Sequence, residues 1–246
     1  MDQFQLLLAG RYTEKSLFLD RRVILNKYAL FHSDIGKGGE AMTYIENVYI
    51  CLVAPLLISV LFLRGRRKGH MLFLLGGMTA CILSSYITTY LALILNADGI
   101  HSVTELAPFV EEIIKFSPVF FYILVFKPKR EKLPENIMMV SVGFATFENV
   151  CYLLNNGSEM LLQLLVRGFA TGAMHVVCGA VVSMGLRFLW EKRWLHIAGT
   201  AGLITLAISY HSIYNILVIQ TGVPMVIGFF IPMLTAAGIL LFRKKD

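Results

Sequence analysis

Seven stretches of the chain are apolar over close to the length a helix needs to cross a bilayer, at approximately 44 to 63, 70 to 95, 103 to 126, 137 to 154, 160 to 189, 195 to 218 and 223 to 242. About 20 residues, at 1.5 Å each, cover the roughly 30 Å of hydrocarbon in a membrane. Polar residues gather between these stretches, and the uninterrupted apolar runs are far too long for strands. The pattern predicts an all-α fold, a polytopic membrane helix bundle of about seven transmembrane helices. Residues 1–43 are expected to form an N-terminal extramembrane or surface-lying segment, and 44–246 the integral membrane domain. Within the first segment, the leucine-rich and basic residues 3 to 31 suit an amphipathic helix lying along a membrane surface.

Composition agrees: 57% of residues are hydrophobic and 15% charged, which excludes an ordinary soluble domain. The net charge of +6 does not call for nucleic acid, because the basic residues sit in short clusters beside the apolar spans. RGRRKG (64 to 69), KPKREK (127 to 132), EKR (191 to 193) and RKK (243 to 245) are basic, whereas NADGIHS (96 to 102), NNGSE (155 to 159) and QTG (220 to 222) contain no Lys or Arg. The positive-inside rule puts the first set, with the C-terminus, in the cytoplasm and the second outside. Seven spans then leave the N-terminus outside, against the pull of Arg11, Lys15, Arg21, Arg22, Lys27 and Lys37, whose charges nearby acids nearly balance. No signal-peptide pattern opens the sequence, and the final RKKD is not a prenylation box. Cys51, Cys81, Cys151 and Cys178 all lie in apolar stretches without metal-ligand spacing, and read as small core residues.

Ionisable groups are costly in lipid and mark bundle interiors or watery cavities. Span three carries Glu111, Glu112 and Lys115; span four Glu148, followed by Asn149; span five Arg167 and His175; span six His211 and Asn215. Glu111 and Lys115 have the i,i+4 spacing of an ion pair, and His211 and Asn215 share it. Counted at 1.5 Å per residue, Glu111 and Glu112 lie roughly 12 to 14 Å below the outer start of their span, Glu148 about 9 Å and His211 about 10 Å from their outer ends. They form one layer; His175 sits deeper, at about 20 Å. Arg167 is close enough to the outer end to snorkel, and Glu46 is interfacial. GFATG (168 to 172) contains a GxxxG pair, a signal for close helix packing, with Gly179 and Gly185 further along.

Two adjacent carboxylates, a histidine and an amide in a wet pocket can hydrolyse an acyl bond. One carboxylate takes a proton from water, while the histidine and asparagine donate to the developing oxyanion. Lys115 would hold one acid ionised. Rival protease chemistries fail on their residues: Asp2, Asp20, Asp34, Asp98 and Asp246 all lie outside the spans, and neither HExxH nor GxSG occurs.

EEIIK (111 to 115) resembles the EExxK motif, FATFEN (144 to 149) the FxxxEN motif, and His175 with HSIYN (211 to 215) the histidine helices of the PrsW family of intramembrane proteases. That family is similar to the CAAX-prenyl endoprotease and bacteriocin-immunity group, with its EExxxR, FxxxH and HxxxN motifs. Lys115 in place of arginine favours PrsW. The resemblance covers residues from about 70 to 220 and leaves out the N-terminal segment and first span. It implies that Glu111 and Glu112 are the catalytic pair, with Glu111 activating water; that Glu148 positions the water; and that His211 and Asn215 form the oxyanion site. His175 joins the pocket with its role open, and Lys115 and Asn149 support it.

The expected protein is therefore an intramembrane endopeptidase in a bacterial or archaeal cell membrane. It would cleave a membrane-anchored, anti-sigma-factor-like protein by glutamate-activated water. No cofactor is required for this chemistry, but a divalent metal such as zinc fits it too, with Glu148, His175 and His211 as ligands. The alternatives are a CAAX-type prenyl-protein processing protease and a non-catalytic scaffold or transporter. Lipid and a membrane-protein substrate are the expected partners, and nucleic acid is not.

Overall fold

The computed structural model describes residues 45–128, 132–156, 161–189 and 196–243. The N-terminal segment 1–43, the basic cluster 191–193 and parts of the loops expected at 127–132, 155–159 and 243–245 lie outside the described residues. All secondary structure among the described residues is helical. The long helices are α1 (Ile45–Phe62), α2 (Gly65–Leu95), α3 (Ala107–Phe126), α4 (Leu133–Asn156), α5 (Leu161–Leu189), α6 (His196–Val218) and α7 (Val223–Arg243). A single helical turn, Gly99–His101, and a π-helical turn, Ser102–Leu106, lead into α3.

Six of these helices are long and apolar enough to cross a membrane. The expected count of seven meets its exception at α3, whose first half carries Glu111, Glu112 and Lys115. Helices also outrun the apolar stretches. RGRRKG, expected as a loop, is helical from Gly65 onward, and Arg66 is paired with Glu135 near the start of α4. The connections end helices by recognisable chemistry. Asn96 adopts the left-handed conformation that closes α2 (φ 50°), and its N–H reaches Ala92 and Leu93 carbonyls. Asp98 then accepts from the backbone N–H of His101 to start the next turn.

Two apolar clusters flank α4. On one side Val53 and Val60 of α1 and Leu75, Met78 and Cys81 of α2 meet Phe144 and Phe147. On the other, Ile137 and Val140 join Phe116 and Val119 of α3, Met174, Cys178 and Val182 of α5, and Tyr214 of α6. α4 is thus the central post. α2 and α4 are pressed together backbone to backbone: a Cβ on Gly77 would fall 2.0 Å from the Val140 carbonyl oxygen, and one on Gly143 2.0 Å from that of Leu74. The GFATG pair does not play this part, since a Cβ on Gly172 would meet nothing within 4 Å and one on Gly168 only the Asn149 amide at 3.8 Å. Further along α5 the packing is tight, with Ser141 against Gly179 and Leu203 against Gly185. Leu61, Phe62, Leu124, Phe230 and Leu241 point outward, as a lipid-facing surface requires.

Candidate active site

The charged half of α3 is enclosed by α4, α5 and α6. Glu112 and Lys115, three residues apart on one face of α3, are fully buried and meet at 2.5 Å between Oε2 and Nζ. The sequence spacing favoured Glu111 as the partner of Lys115. On a helix the i,i+3 neighbour is equally within reach, and the buried face selects Glu112. The lysine stem and ammonium lie beside the rings of Phe116 and Phe144, 5.1 and 5.7 Å from their centroids, a desolvated setting in which a cation gains from the aromatic faces.

From that pair a continuous chain of polar contacts runs in both directions. Glu112 Oε1 accepts from His211 Nδ1 of α6 at 2.8 Å, and His211 Nε2 faces Glu111 Oε2 at 3.7 Å. The other way, Lys115 Nζ donates to His175 Nδ1 at 3.4 Å, and His175 Nε2 donates to Glu148 Oε2 at 2.5 Å. Arg167 closes this arm 3.6 Å from Glu148 Oε1. Because an ionised carboxylate only accepts and an ammonium only donates, the neighbours fix one ring proton on each histidine. His211 carries a proton on Nδ1 and directs Nε2 at Glu111; His175 carries its proton on Nε2. The two rings stand edge to face, 5.0 Å between centroids, with Phe144 against His175 at 4.9 Å.

Glu111, Glu112, Glu148, His175 and His211 are thereby drawn into one cluster with Lys115. His175, which sequence depth placed further down, lies within it. Arg167 is the residue that sequence reasoning undervalued. Instead of snorkelling it is mostly buried, stacked on the Tyr152 ring with Cζ 3.4 Å from the centroid, and it donates to Asn149 Oδ1 at 3.4 Å. Asn149 in turn donates to the Gly168 carbonyl at 3.2 Å, tying α4 to α5. The signal was present in the i,i+4 spacing of Glu148 and Tyr152, which puts both on one face of α4.

Asn215, expected at the oxyanion site, lies one turn beyond His211 on α6. Its amide donates to the backbone carbonyl of Val103 at 2.9 Å, in the π-helical turn before α3. The metal-ligand set also differs from expectation. Among the described residues, Glu111, His175 and His211 can offer ligand atoms within 4.8 Å of one another. Glu148, the carboxylate expected in that set, hydrogen-bonds the His175 ring instead.

A protein-family model described as PrsW family intramembrane metalloprotease matches residues 66–240. No match is found among curated proteins or among solved structures. The match takes in α2 through most of α7 and every residue of the cluster, and leaves α1 outside. The chain belongs to the PrsW family of intramembrane metalloproteases.

Proposed function

We propose that the Glu111–His211 face of the cluster is the hydrolytic centre of an intramembrane endopeptidase that cuts a membrane-anchored protein. The observation that carries this reading is the 3.7 Å approach of Glu111 Oε2 to His211 Nε2. One water can hydrogen-bond both atoms at that separation, with heavy-atom distances in the 2.6–3.2 Å range a general base requires. Glu111 takes the proton of that water as it attacks the scissile carbonyl, and returns it to the leaving amine. His211 orients the water, and Glu112, clamped by Lys115, holds the His211 ring in the tautomer that does so. Glu148 and Arg167 fix His175 on the far side.

The donor set fits a divalent cation, which would take the place of the Lys115 ammonium now 3.4 Å from His175 Nδ1. Glu111, His175 and His211 supply one carboxylate and two imidazoles, a combination that suits zinc. Glu112 and Glu148 stand against ring nitrogens of the two histidines, as carboxylates commonly do behind metal-bound imidazoles. When bound, such a cation would make water more acidic and polarise the scissile carbonyl.

The site lies toward the ends of the helices that carry no Lys or Arg in their expected loops. Glu148 is about 12 Å from the end of α4, Arg167 about 9 Å from the start of α5, and His211 about 10 Å from the end of α6. With α3 as a seventh membrane helix, this favours an N-out orientation and cleavage near the outer leaflet. A single-pass signalling protein of the anti-sigma-factor kind suits that position.

The test compares membranes from cells making the wild type with those making Glu111→Gln at equal level, by mass-spectrometric mapping of new protein ends. Exoplasmic ends found with the wild type alone support the reading. Ends on the cytoplasmic side instead favour a CAAX-type processing enzyme. Identical profiles from folded proteins favour a scaffold.

A further inference from the structure

Asn215 binds a backbone carbonyl that its own helix geometry has left without a donor. In an α-helix the N–H of Ala107 would reach the Val103 carbonyl, four residues back. Here it reaches the Ser102 carbonyl, five back, which makes Ser102–Leu106 π-helical. The next residue along, Pro108, has no N–H with which to continue the wider turn. Val103 oxygen is therefore skipped by both, and a skipped carbonyl at this half-buried position is served by another donor. The Asn215 amide supplies it at 2.9 Å.

The location gives this contact its consequence. A π turn adds a residue to the helix without adding a full step of rotation, and so resets which side chains face inward beyond it. Glu111 and Glu112 come three and four residues after Pro108. On α6, Asn215 lies one turn from His211, so the same helix face holds the π turn through one side chain and Glu112 through the other.

We propose that Asn215 is a positioning residue: by completing the Ser102–Leu106 π turn it fixes the register in which Glu111 and Glu112 meet His211 and His175. Its consequence for cleavage rests on the peptidase reading above, whereas its consequence for the helix does not. The sequence marker is Pro108, five residues after the carbonyl that Asn215 serves.

Four purified, detergent-solubilised variants test this beside the wild type: Asn215→Ala, Asn215→Asp, Pro108→Ala and the double variant Asn215→Ala/Pro108→Ala. Asn215→Asp keeps the shape of the side chain but removes its donor, and serves where Asn215→Ala does not accumulate. Pro108→Ala restores a backbone N–H within reach of Val103. Backbone hydrogen exchange across residues 99–114 is expected to quicken about tenfold in Asn215→Ala and Asn215→Asp, the scale of one lost half-buried hydrogen bond. It should return toward wild type in the double variant. Cleavage of a fragment released by the wild type but not by Glu111→Gln should fall and recover in parallel. Unchanged exchange in both Asn215 variants overturns the proposal. So does a double variant with exchange restored and cleavage still absent, which would assign the amide directly to the substrate. If the wild type and Glu111→Gln cleave alike, the peptidase reading fails, and the exchange comparison still decides the role of Asn215.

Discussion

Glu112 and His211, 99 residues apart in sequence, meet at 2.8 Å in the interior of the bundle. Neither side chain would be placed there for stability alone, since a buried carboxylate loses its hydration and recovers it only through well-made contacts. Glu112 recovers it from Lys115 on its own helix and from the imidazole of α6. The effect on His211 is directional: one nitrogen is committed to Glu112, and the other is aimed at Glu111.

The Glu112–Lys115 pair should behave as a buried unit. Lys115→Met alone leaves a carboxylate unpaired and should cost about 3–5 kcal/mol of stability. Glu112→Gln combined with Lys115→Met should cost clearly less than the sum of the two single changes. Unfolding of the four proteins in detergent gives the coupling directly, and strict additivity would contradict a buried pair.

Arg167 should matter to turnover more than to folding. Its contacts reach the site through Glu148 and His175, so Arg167→Leu should slow cleavage by about 10- to 100-fold, the usual effect of losing an outer support of a reactive histidine. Arg167→Lys keeps the charge but not the flat stack on Tyr152, and should lie between. The check is cleavage rate set against melting temperature for the same preparations.

The helix pair α2–α4 makes a contrasting prediction about glycines. Gly77→Ala or Gly143→Ala would force a methyl into backbone 2.0 Å away, and should destabilise by about 1–3 kcal/mol, the usual cost of overpacking. Gly172→Ala, with nothing within 4 Å, should be tolerated although it breaks the GxxxG pattern. Thermal aggregation midpoints of the three variants separate these outcomes.

At the turn before α3, pH should act through Asp98 and His101. The Asp98 carboxylate hydrogen-bonds the His101 ring and raises its pKa above the ordinary 6.5. The backbone N–H of His101 and then its ring hold Asp98 below the usual carboxylate value of 3.8. The histidine contribution is complete below the ordinary histidine pKa and is lost as pH rises through the raised one. The aspartate contribution is present above the ordinary carboxylate pKa and is lost as pH falls through the lowered one. The contact is therefore strongest in mildly acidic solution. Asp98→Asn should bring the His101 titration midpoint, followed by NMR, back down toward 6.5; an unchanged midpoint would contradict the pairing.

Much of the bundle was legible because lipid permits so little else. Long apolar runs specify helices, and few ionisable residues interrupt them, so Glu111, Glu148 and His211 could be set at similar depth by counting residues. What counting could not supply was rotation. Whether Lys115 turns to Glu111 or Glu112 depends on which face of α3 is buried, and i,i+3 and i,i+4 neighbours look alike in sequence. Depth also misjudged Arg167, because counting along one helix does not show that Tyr152 and Glu148 of α4 stand within reach of it. GFATG misled because a small-residue pair permits close approach without requiring it; the closest contact went to Gly77 and Gly143, which lie on different helices. The π turn was hidden for another reason. It has no hydrophobic period of its own, and Pro108 gives the clue only when the carbonyls behind it are followed one by one.

The most direct measurement is cleavage of an identified membrane-anchored substrate by the purified protein in proteoliposomes, comparing wild type with Glu111→Gln under single-turnover conditions. If Glu111 is the water-activating base, the variant should keep its melting temperature and its substrate binding while cleavage falls at least about 100-fold, the lower end of what general-base catalysis contributes. Equal single-turnover rates in the two proteins would contradict the assignment of Glu111 and remove the Glu111–His211 face as the reacting centre.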